Sequence, residues 1–354
     1  MIDAARSRKG APSLVVLQSV SRPSAGIDYT SELERHAPTD VHYRYFNWPR
    51  AILGRYDLLH MHWPEYWIRN AHPVKRGLQT VLFPVLLARL AMTRTPVVRT
   101  LHNVTPHEQG SRLERMLLGL LDRLTTVSVR LNKQTPAPQV GDVVDIPHGD
   151  FNAFRTLVQP TGPRPGRVLF FGHVRRYKAV PQLVAQFGRV TAPDARLRVT
   201  GSVKEPTLEQ ELRRVAEDDP RVSLDLRFIA DEDLAREVNE STLVALPYEE
   251  MHNSGAVFVA LSLGRPVLVP ASSTADEIAA EVGERWVHRY RAPLSSTQLE
   301  DALRRAAELL DQDTTGPDLS NRSWPAIAQQ YRETYFRAVK QRRRRETDAA
   351  RGTR

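Results

Sequence analysis

A short basic loop at positions 172–178 is a candidate for anion binding. It reads Gly-His-Val-Arg-Arg-Tyr-Lys and follows an apolar run that ends at Phe171. Arginine binds phosphate through two hydrogen bonds and lysine adds a point charge, so Arg175 and Lys178 beside Gly172 suit a diphosphate. A solvated basic loop has the same composition and stays open as the alternative.

A second candidate anion site lies between two apolar runs of the C-terminal half. Asn253 or Ser254 can cap a helix that begins there, and Gly255 leaves room for a ligand at its first backbone N–H groups. Glu249 and Glu250 stand in the same loop, where a carboxylate can accept hydrogen bonds from ribose or sugar hydroxyls. A purely structural helix with solvated glutamates is the alternative.

Histidines and carboxylates gather after the apolar runs of the N-terminal half. They are His60, His62, Glu65, His102, His107, Glu108 and, after a later run, His148. If the runs are parallel strands, their carboxyl ends share one rim, where such groups can take a proton from a hydroxyl nucleophile. His60 and His62 face the same side of a strand, but no third ligand has a diagnostic spacing, so no metal site is predicted. Structural histidines are the alternative for most of this set.

Apolar runs that predict strands alternate with stretches that predict helices. These elements would position the candidate residues. Strands are predicted near 14–18, 41–46, 56–62, 96–101, 125–129, 142–146, 167–171, 197–200, 222–226, 243–246 and 266–269. Helices are predicted near 31–35, 78–92, 112–124, 179–190, 207–217, 231–240, 254–264, 296–311 and 323–341. This rhythm indicates an α/β fold with two Rossmann-like, doubly wound domains at 13–158 and 167–322, joined by a Pro/Gly-rich linker at 159–166.

Composition excludes several classes of protein. None of the 354 residues is Cys, which excludes disulfides, thiol catalysis and thiolate metal sites. The lead at 1–12 is polar, basic and predicted to be disordered, with no visible secretory signal. The net charge of +9 indicates an anionic partner, which can be nucleic acid, an anionic membrane or a phosphorylated substrate. A basic tail at 342–354 carries part of that charge.

The longest apolar stretch, at 78–92, is interrupted by Pro84 and Arg89. It is too short to span a bilayer, which requires about 20 apolar residues. Its basic flanks fit a helix that lies in a membrane interface. A buried helix of the N-terminal domain is the alternative.

Five segments together resemble a GT-B glycosyltransferase. They are YDLLHMHW at 56–63, TLHNVTPHE at 100–108, IPHGD at 146–150, FFGHVRRYKAV at 170–180 and NSGAVFVALSLGRPVLVP at 253–270. The resemblance covers most of the chain, and the last two segments are the most specific. The last is similar to bacterial exopolysaccharide mannosyltransferases of the xanthan-assembly type. This resemblance implies two Rossmann-like domains that face each other across a cleft.

The resemblance also implies a role for each candidate residue. The donor-binding set is Gly172, Arg175, Lys178, Glu249, Glu250, Asn253, Ser254 and Gly255. The acceptor-side set is His102, Asn103 and His148. The final helix, at 323–341, would cross back and pack on the N-terminal domain.

This chain departs from the broadest family of retaining GT-B glycosyltransferases in one respect, which bears on the stereochemistry of sugar transfer. That family has two glutamates eight residues apart around the helix start, where this chain has Met251 and Val259. Their absence favours an inverting mechanism with a base on the acceptor side. His107 and Glu108 are the leading candidates for that base, followed by His62 and Glu65. No DxD signature lies near the donor loops, so no metal or other cofactor is expected.

We therefore expect a glycosyltransferase that uses a nucleotide sugar, with GDP-mannose favoured, and a lipid-linked or glycan acceptor. Its predicted location is the cytoplasm, peripherally on the inner membrane face. Nucleic acid is not an expected partner, because no nucleic-acid-binding motif accompanies the basic tail. A sugar-nucleotide epimerase of the same fold and a non-catalytic basic protein that binds membrane or nucleic acid are the alternatives.

Overall fold

The computed structural model describes residues 13–22, 26–70, 72–102, 110–136, 138–159, 161–249, 251, 253–313 and 315–352, with side chains of the last helix described to residue 342. The chain divides into two compact units. Unit 1 comprises Met1–Pro147 and Trp324–Arg354, and unit 2 comprises His148–Ser323. Both are α/β units built on a parallel sheet of six strands.

The sheet of unit 1 places two candidate loops side by side. Its strands are β1 Leu14–Gln18, β2 Val41–Tyr45, β3 Leu58–Met61, β4 Val97–Leu101, β5 Val127–Arg130 and β6 Asp142–Asp145. They run parallel in the order β2-β1-β3-β4-β5-β6. Because β1, β3 and β4 are neighbours, the residues at their carboxyl ends meet on one rim.

Helices cover both faces of this sheet. They are α1 Tyr29–Arg35, α2 Trp48–Leu53, α3 Pro73–Met92, α4 Arg112–Leu124 and the C-terminal helix Trp324–Gly352. Successive strand residues point to opposite faces, so Leu58 packs in the core cluster under the C-terminal helix while Leu59 packs in the cluster under α3 and α4. Among the described helices, none is long and apolar enough to cross a membrane.

Unit 2 repeats this architecture. Its strands are β7 Arg167–Phe171, β8 Arg196–Thr200, β9 Val222–Asp225, β10 Leu243–Ala245, β11 Val267–Pro270 and β12 Val287–Tyr290. Its helices are α5 Val180–Phe187, α6 Pro206–Ala216, α7 Asp231–Asn239, α8 Gly255–Ser262, α9 Ser273–Val282 and α10 Ser296–Gln312. The strand order β12-β11-β10-β7-β8-β9 makes β7 and β10 neighbours. The basic loop after β7 and the glutamate-containing loop after β10 therefore start at adjacent strands.

The structure differs from the sequence prediction in three respects. The strand β12 and the helices α2 and α9 were not predicted, because each is short and weakly periodic. The C-terminal helix continues to Gly352, so the predicted basic tail extends a helix. The division between units falls after Pro147, upstream of the predicted linker at 159–166. Residues 148–159 belong to unit 2, where Phe151 and Phe154 are buried.

Candidate active site

The loop after β7 folds its lysine back over its own start. Gly172 adopts φ +100°, a conformation that favours glycine, and a Cβ atom built there would lie 3.5 Å from the Lys178 ammonium. That ammonium lies 5.1 Å from the ring centre of Tyr248 and 5.8 Å from that of Phe170. The aromatic rings and the turn at glycine therefore hold the lysine charge at the carboxyl end of the sheet.

Two of the three cations in this loop have no carboxylate partner among the described residues. Arg176 pairs with Glu205 at 2.5 Å and with Glu211 at 3.5 Å. Neither Arg175 nor Lys178 has a described ion pair. Burial, with a further contribution from Arg175, lowers the pKa of the Lys178 ammonium to about 8. A half-buried lysine whose charge is not offset by a carboxylate fits the bound anion that the sequence predicts.

The loop after β10 and the start of α8 join the same cluster. The Glu249 N–H donates to the Tyr177 carbonyl at 2.8 Å, which links the two loops. Ser254 precedes α8 but its side chain makes no capping hydrogen bond, in contrast to the predicted cap; it bonds to Tyr248 instead. We name Gly172, Arg175, Lys178, Tyr248 and Ser254 the basic cluster.

The remaining donor candidates lie beside the basic cluster or outside the described residues. Asn253 directly precedes Ser254, and Glu249 is exposed in the loop after β10. Gly255 begins α8, six of whose eight residues are buried, so the helix is embedded in the core with its N-terminus at the strand ends. Glu250 lies outside the described residues.

His148, predicted to lie on the acceptor side, belongs to unit 2. A Cβ atom at Gly255 would lie 3.7 Å from His148 Nε2, and the imidazole stacks on Phe258 of α8. His148 Nδ1 lies 2.8 Å from the Gly149 carbonyl, which fixes Nδ1 as the protonated nitrogen. Burial lowers the pKa of His148 to about 4, so a neutral imidazole lies against the start of α8.

In unit 1, His62 and His102 form a hydrogen-bonded pair at the rim. His62 Nε2 lies 2.8 Å from Gln18 Oε1, and His62 Nδ1 lies 2.9 Å from His102 Nε2. The amide oxygen of Gln18 only accepts, so His62 Nε2 carries the hydrogen and His62 Nδ1 accepts from His102. Burial lowers the pKa of His62 to about 3, and the ring is therefore neutral.

Aromatic rings hold His102 in place. Its imidazole stacks on Trp63, with ring centres 4.0 Å apart, and meets the edge of Tyr29 at 5.3 Å. Since His62 is fully buried with both ring nitrogens bonded, it is suited to orienting His102 rather than to accepting a substrate proton. Gln18 was not among the predicted site residues, although it is the last residue of β1 on the same rim.

His60 is a structural residue, in agreement with the alternative that the sequence left open. Its Nδ1 lies 2.8 Å from the Tyr335 hydroxyl, and its Nε2 lies 2.8 Å from Thr100 Oγ1. Tyr331 continues the network at 2.9 Å from Thr100 Oγ1. These bonds tie β3 and β4 to the C-terminal helix.

Glu65 is a buried carboxyl group close to this rim. It lies in the first turn of the short 3₁₀ helix Pro64–Trp67 that follows β3, and burial raises its pKa. A raised pKa is typical of a carboxylate that exchanges protons in a reaction. The leading base candidates His107 and Glu108, together with Asn103, lie outside the described residues. In the part of the chain that the structure describes, no three potential ligands gather into a metal site.

Comparisons with known proteins identify the family. Residues 165–308 match the family model described as glycosyl transferases group 1. A GDP-mannose:glycolipid 4-beta-D-mannosyltransferase from Xanthomonas campestris pv. campestris is 39% identical over 336 residues, which cover 93% of this chain and 94% of that protein.

Solved structures show the same fold at low sequence identity. Anabaena HepE in complex with UDP and glucose matches with a TM-score of 0.59 and 14% identity, covering 95% of this chain and 99% of that one. Sucrose-phosphate synthase from Thermosynechococcus elongatus has a TM-score of 0.59 and 16% identity, with 92% and 98% covered. The fold is GT-B, the chain is an enzyme, and the epimerase alternative is not favoured. The protein belongs to the group 1 glycosyltransferases.

Proposed function

We propose that this glycosyltransferase moves mannose from GDP-mannose to a glycolipid acceptor. The observation that carries the proposal is the 39% identity to a GDP-mannose:glycolipid mannosyltransferase, which extends over 93% of the chain. Identity of this extent includes both units. It therefore supports a common donor and a common acceptor class rather than a shared nucleotide-binding unit alone.

The basic cluster of unit 2 would bind the diphosphate of the donor. Lys178 supplies a half-buried positive charge, and Arg175 offers a planar donor pair that matches phosphate oxygens. The first backbone N–H groups of α8 add the positive end of a helix dipole. Together these groups would offset charge on the departing diphosphate without a metal ion or another cofactor.

The reaction would invert the anomeric centre. The relative's name specifies a β-linked product, and GDP-mannose holds its sugar in α-linkage. In one displacement, an acceptor hydroxyl oxygen bonds to the anomeric carbon while the bond from that carbon to the diphosphate oxygen breaks. The acceptor proton passes to a base, and GDP leaves with the bonding electrons.

Unit 1 would supply the base. His107, Glu108 and Glu65 stay candidates, and the structure adds His102 because Gln18 and His62 hold its ring in one orientation. In this proposal His62 is a positioning residue, and His102 replaces it among the proton acceptors.

A glycolipid acceptor would bring the enzyme to a membrane surface. Location at the cytoplasmic face of the inner membrane remains a prediction, and so does the absence of a nucleic-acid partner. Both are consistent with a nucleotide-sugar donor.

Two measurements test the proposed function. Thermal shift with GDP, UDP, ADP and dTDP should show selective stabilisation by GDP. Labelled GDP-mannose should then transfer its sugar to a glycolipid extract, with no donor turnover to an epimer when acceptor is left out. Equal or absent stabilisation by all four nucleotides would contradict the donor assignment, and acceptor-independent epimerisation would contradict the reaction.

A further inference from the structure

The outer surface of α3 and α4 carries most of the exposed large apolar side chains of the described chain. Apart from Met92 at the last position of α3, these are Val74, Leu78, Val81 and Val85 on α3 and Leu113, Met116 and Leu120 on α4. We name these seven residues the α3–α4 face. Each is at least 40% exposed, although valine, leucine and methionine are usually buried. Such a grouping marks an interaction surface.

Helix periodicity makes each set a continuous stripe. The α3 positions follow the spacing i, i+4, i+7, i+11, and the α4 positions follow i, i+3, i+7. A second apolar stripe on each helix is buried, with Phe83 and Leu87 on α3 and Leu117 and Leu121 on α4 in one core cluster. The two helices also pack against each other. Folding of unit 1 therefore buries the inner stripes and leaves the outer stripes exposed.

The exposed charges around this face are positive. No Asp or Glu occurs between Glu65 and Glu108. The two carboxylates of α4 are engaged, since Glu114 pairs with Arg69 and Asp122 pairs with Arg99. The exposed cations on these helices are Lys75, Arg76, Arg112, Arg115 and Arg123. Apolar stripes bordered by cations are typical of surfaces that insert into the headgroup region of an anionic bilayer.

We propose that the α3–α4 face docks unit 1 on an anionic lipid bilayer. The apolar stripes would enter the interface between headgroups and acyl chains, while Lys75, Arg76 and Arg112 would contact lipid phosphates. The inference rests on the proposed function in one respect, because a glycolipid acceptor gives the enzyme a reason to be at this surface. The occupant is a bilayer rather than a second copy of the chain, because copies of a face with one sign of charge repel each other.

Vesicle sedimentation of the full-length protein tests this proposal. The wild type should bind vesicles of phosphatidylcholine mixed with phosphatidylglycerol, and bind pure phosphatidylcholine far less. Replacing Leu78, Val81 and Met116 together by Ser should lower partitioning about tenfold or more, as should Lys75→Glu with Arg76→Glu. Only the charge variant should lose the salt dependence of binding.

Matched controls separate this face from other surfaces. Leu53→Ser in unit 1 and Phe228→Ser in unit 2 change residues that are 83% and 77% exposed but lie outside the face, so binding should stay at the wild-type level. Arg343→Glu with Arg344→Glu repeats the charge change near the C-terminus. Loss of binding in that variant alone, or equal binding by the Leu78/Val81/Met116 variant and the wild type, would overturn the proposal.

Two further readouts distinguish the alternatives. Light scattering without lipid should show the same mass for the wild type and the apolar variant, and a wild-type dimer that this variant abolishes would assign the face to a second copy instead. GDP stabilisation should be unchanged in every surface variant. Intact GDP binding with no vesicle binding would refute the docking face alone, whereas vesicle binding without GDP binding would refute the proposed function alone.

Discussion

At the scale of single residues, the most informative side chain is Lys178. Its position after β7 was predictable, but its burial against Tyr248 and the absence of a described carboxylate partner were not. An amphipathic lysine stem and a charged head can lie in solvent or under a loop with the same local sequence. Only the packing of the two neighbouring loops distinguishes a ligand-binding lysine from a solvated one.

Lys178→Ala should weaken GDP binding by about 10- to 100-fold, because a hydrogen bond to a charged group contributes about 1.5–3 kcal/mol. Isothermal titration calorimetry measures this change. Arg176→Ala is the matched control, since Arg176 is already paired with Glu205 and Glu211 and its removal should leave GDP affinity unchanged. The reverse pattern would show that Arg176 rather than Lys178 holds the diphosphate.

Titration of Lys178 predicts that GDP affinity depends on pH. Burial lowers the pKa of the free protein's Lys178 to about 8, so the charge that attracts the diphosphate is present below that pH and is lost above it. GDP affinity should therefore fall by about tenfold between about pH 7.5 and pH 9.5. Calorimetry across this range checks the trend. A flat profile in the wild type, matching that of Lys178→Ala, would exclude titration of this group.

The His62 prediction separates positioning from binding. His62→Phe removes the bonds to Gln18 and His102, so kcat should fall roughly 10- to 100-fold while GDP affinity is unchanged. His62→Gln should recover part of kcat, because its amide can both donate and accept. His42→Gln on the exposed side of β2 is the control. An unchanged kcat in His62→Phe would remove the Gln18–His62–His102 chain from the mechanism.

At the scale of elements, the C-terminal helix is a structural part of unit 1. Its inner face contributes Trp324, Ile327, Tyr331 and Tyr335 to the core cluster under the first sheet. Its apolar spacing predicted an amphipathic helix, and the buried hydroxyl groups add hydrogen bonds to His60 and Thr100. The helix therefore stabilises the strands whose ends carry His62 and His102.

Tyr335→Phe tests this coupling. The change leaves Nδ1 of the buried His60 without its partner and should lower the free energy of unfolding by about 1–3 kcal/mol. Urea denaturation measures this loss. Tyr66→Phe, at a tyrosine that is 60% exposed, should change stability by less than about 0.5 kcal/mol. Equal stability of Tyr335→Phe and the wild type would mean that water replaces the hydroxyl group at no cost.

The long helix α3 is buried on one side and exposed on the other. Its apolar stretch was predicted to be either buried or interfacial. In the structure Leu86 and Leu90 are buried, whereas Val81 and Val85 on the opposite side are exposed. A helix that is apolar nearly all round can bury one face in a core and leave the opposite face exposed to a partner.

At the scale of the whole molecule, three buried histidines predict acid sensitivity. Burial lowers the pKa of His62 to about 3 and of His148 to about 4, and lowers that of His60 well below its usual range. Unfolded histidine has a pKa of about 6.5, so below that pH the unfolded state binds more protons. Stability is therefore complete above about pH 6.5 and is lost as the pH falls toward the folded-state values.

Urea midpoints at about pH 7.5, 6 and 5 measure this effect. Each histidine should lower the free energy of unfolding by about 2 kcal/mol at pH 5 relative to neutral pH. His62→Gln should have a shallower pH dependence because one titrating group is removed. Midpoints that stay constant from pH 7.5 to 5, or equal slopes for variant and wild type, would contradict the neutral, buried state of these rings.

The sequence by itself determined the α/β class, eleven of the twelve strands and the two halves, because runs of apolar residues separated by amphipathic stretches have few other ways to bury their surface. It also placed the basic loop after β7 and the helix start at Gly255. These features depend on local pattern, and local pattern is visible along the chain.

Only the tertiary structure decided which partners each side chain meets. It paired His62 with Gln18 and His102, connected His60 to the C-terminal helix, and placed His148 beside the start of α8. It also placed the lysine charge of the basic cluster over Tyr248. Strand order sets these contacts, and strand order follows from long-range packing that the spacing of residues along the chain does not contain.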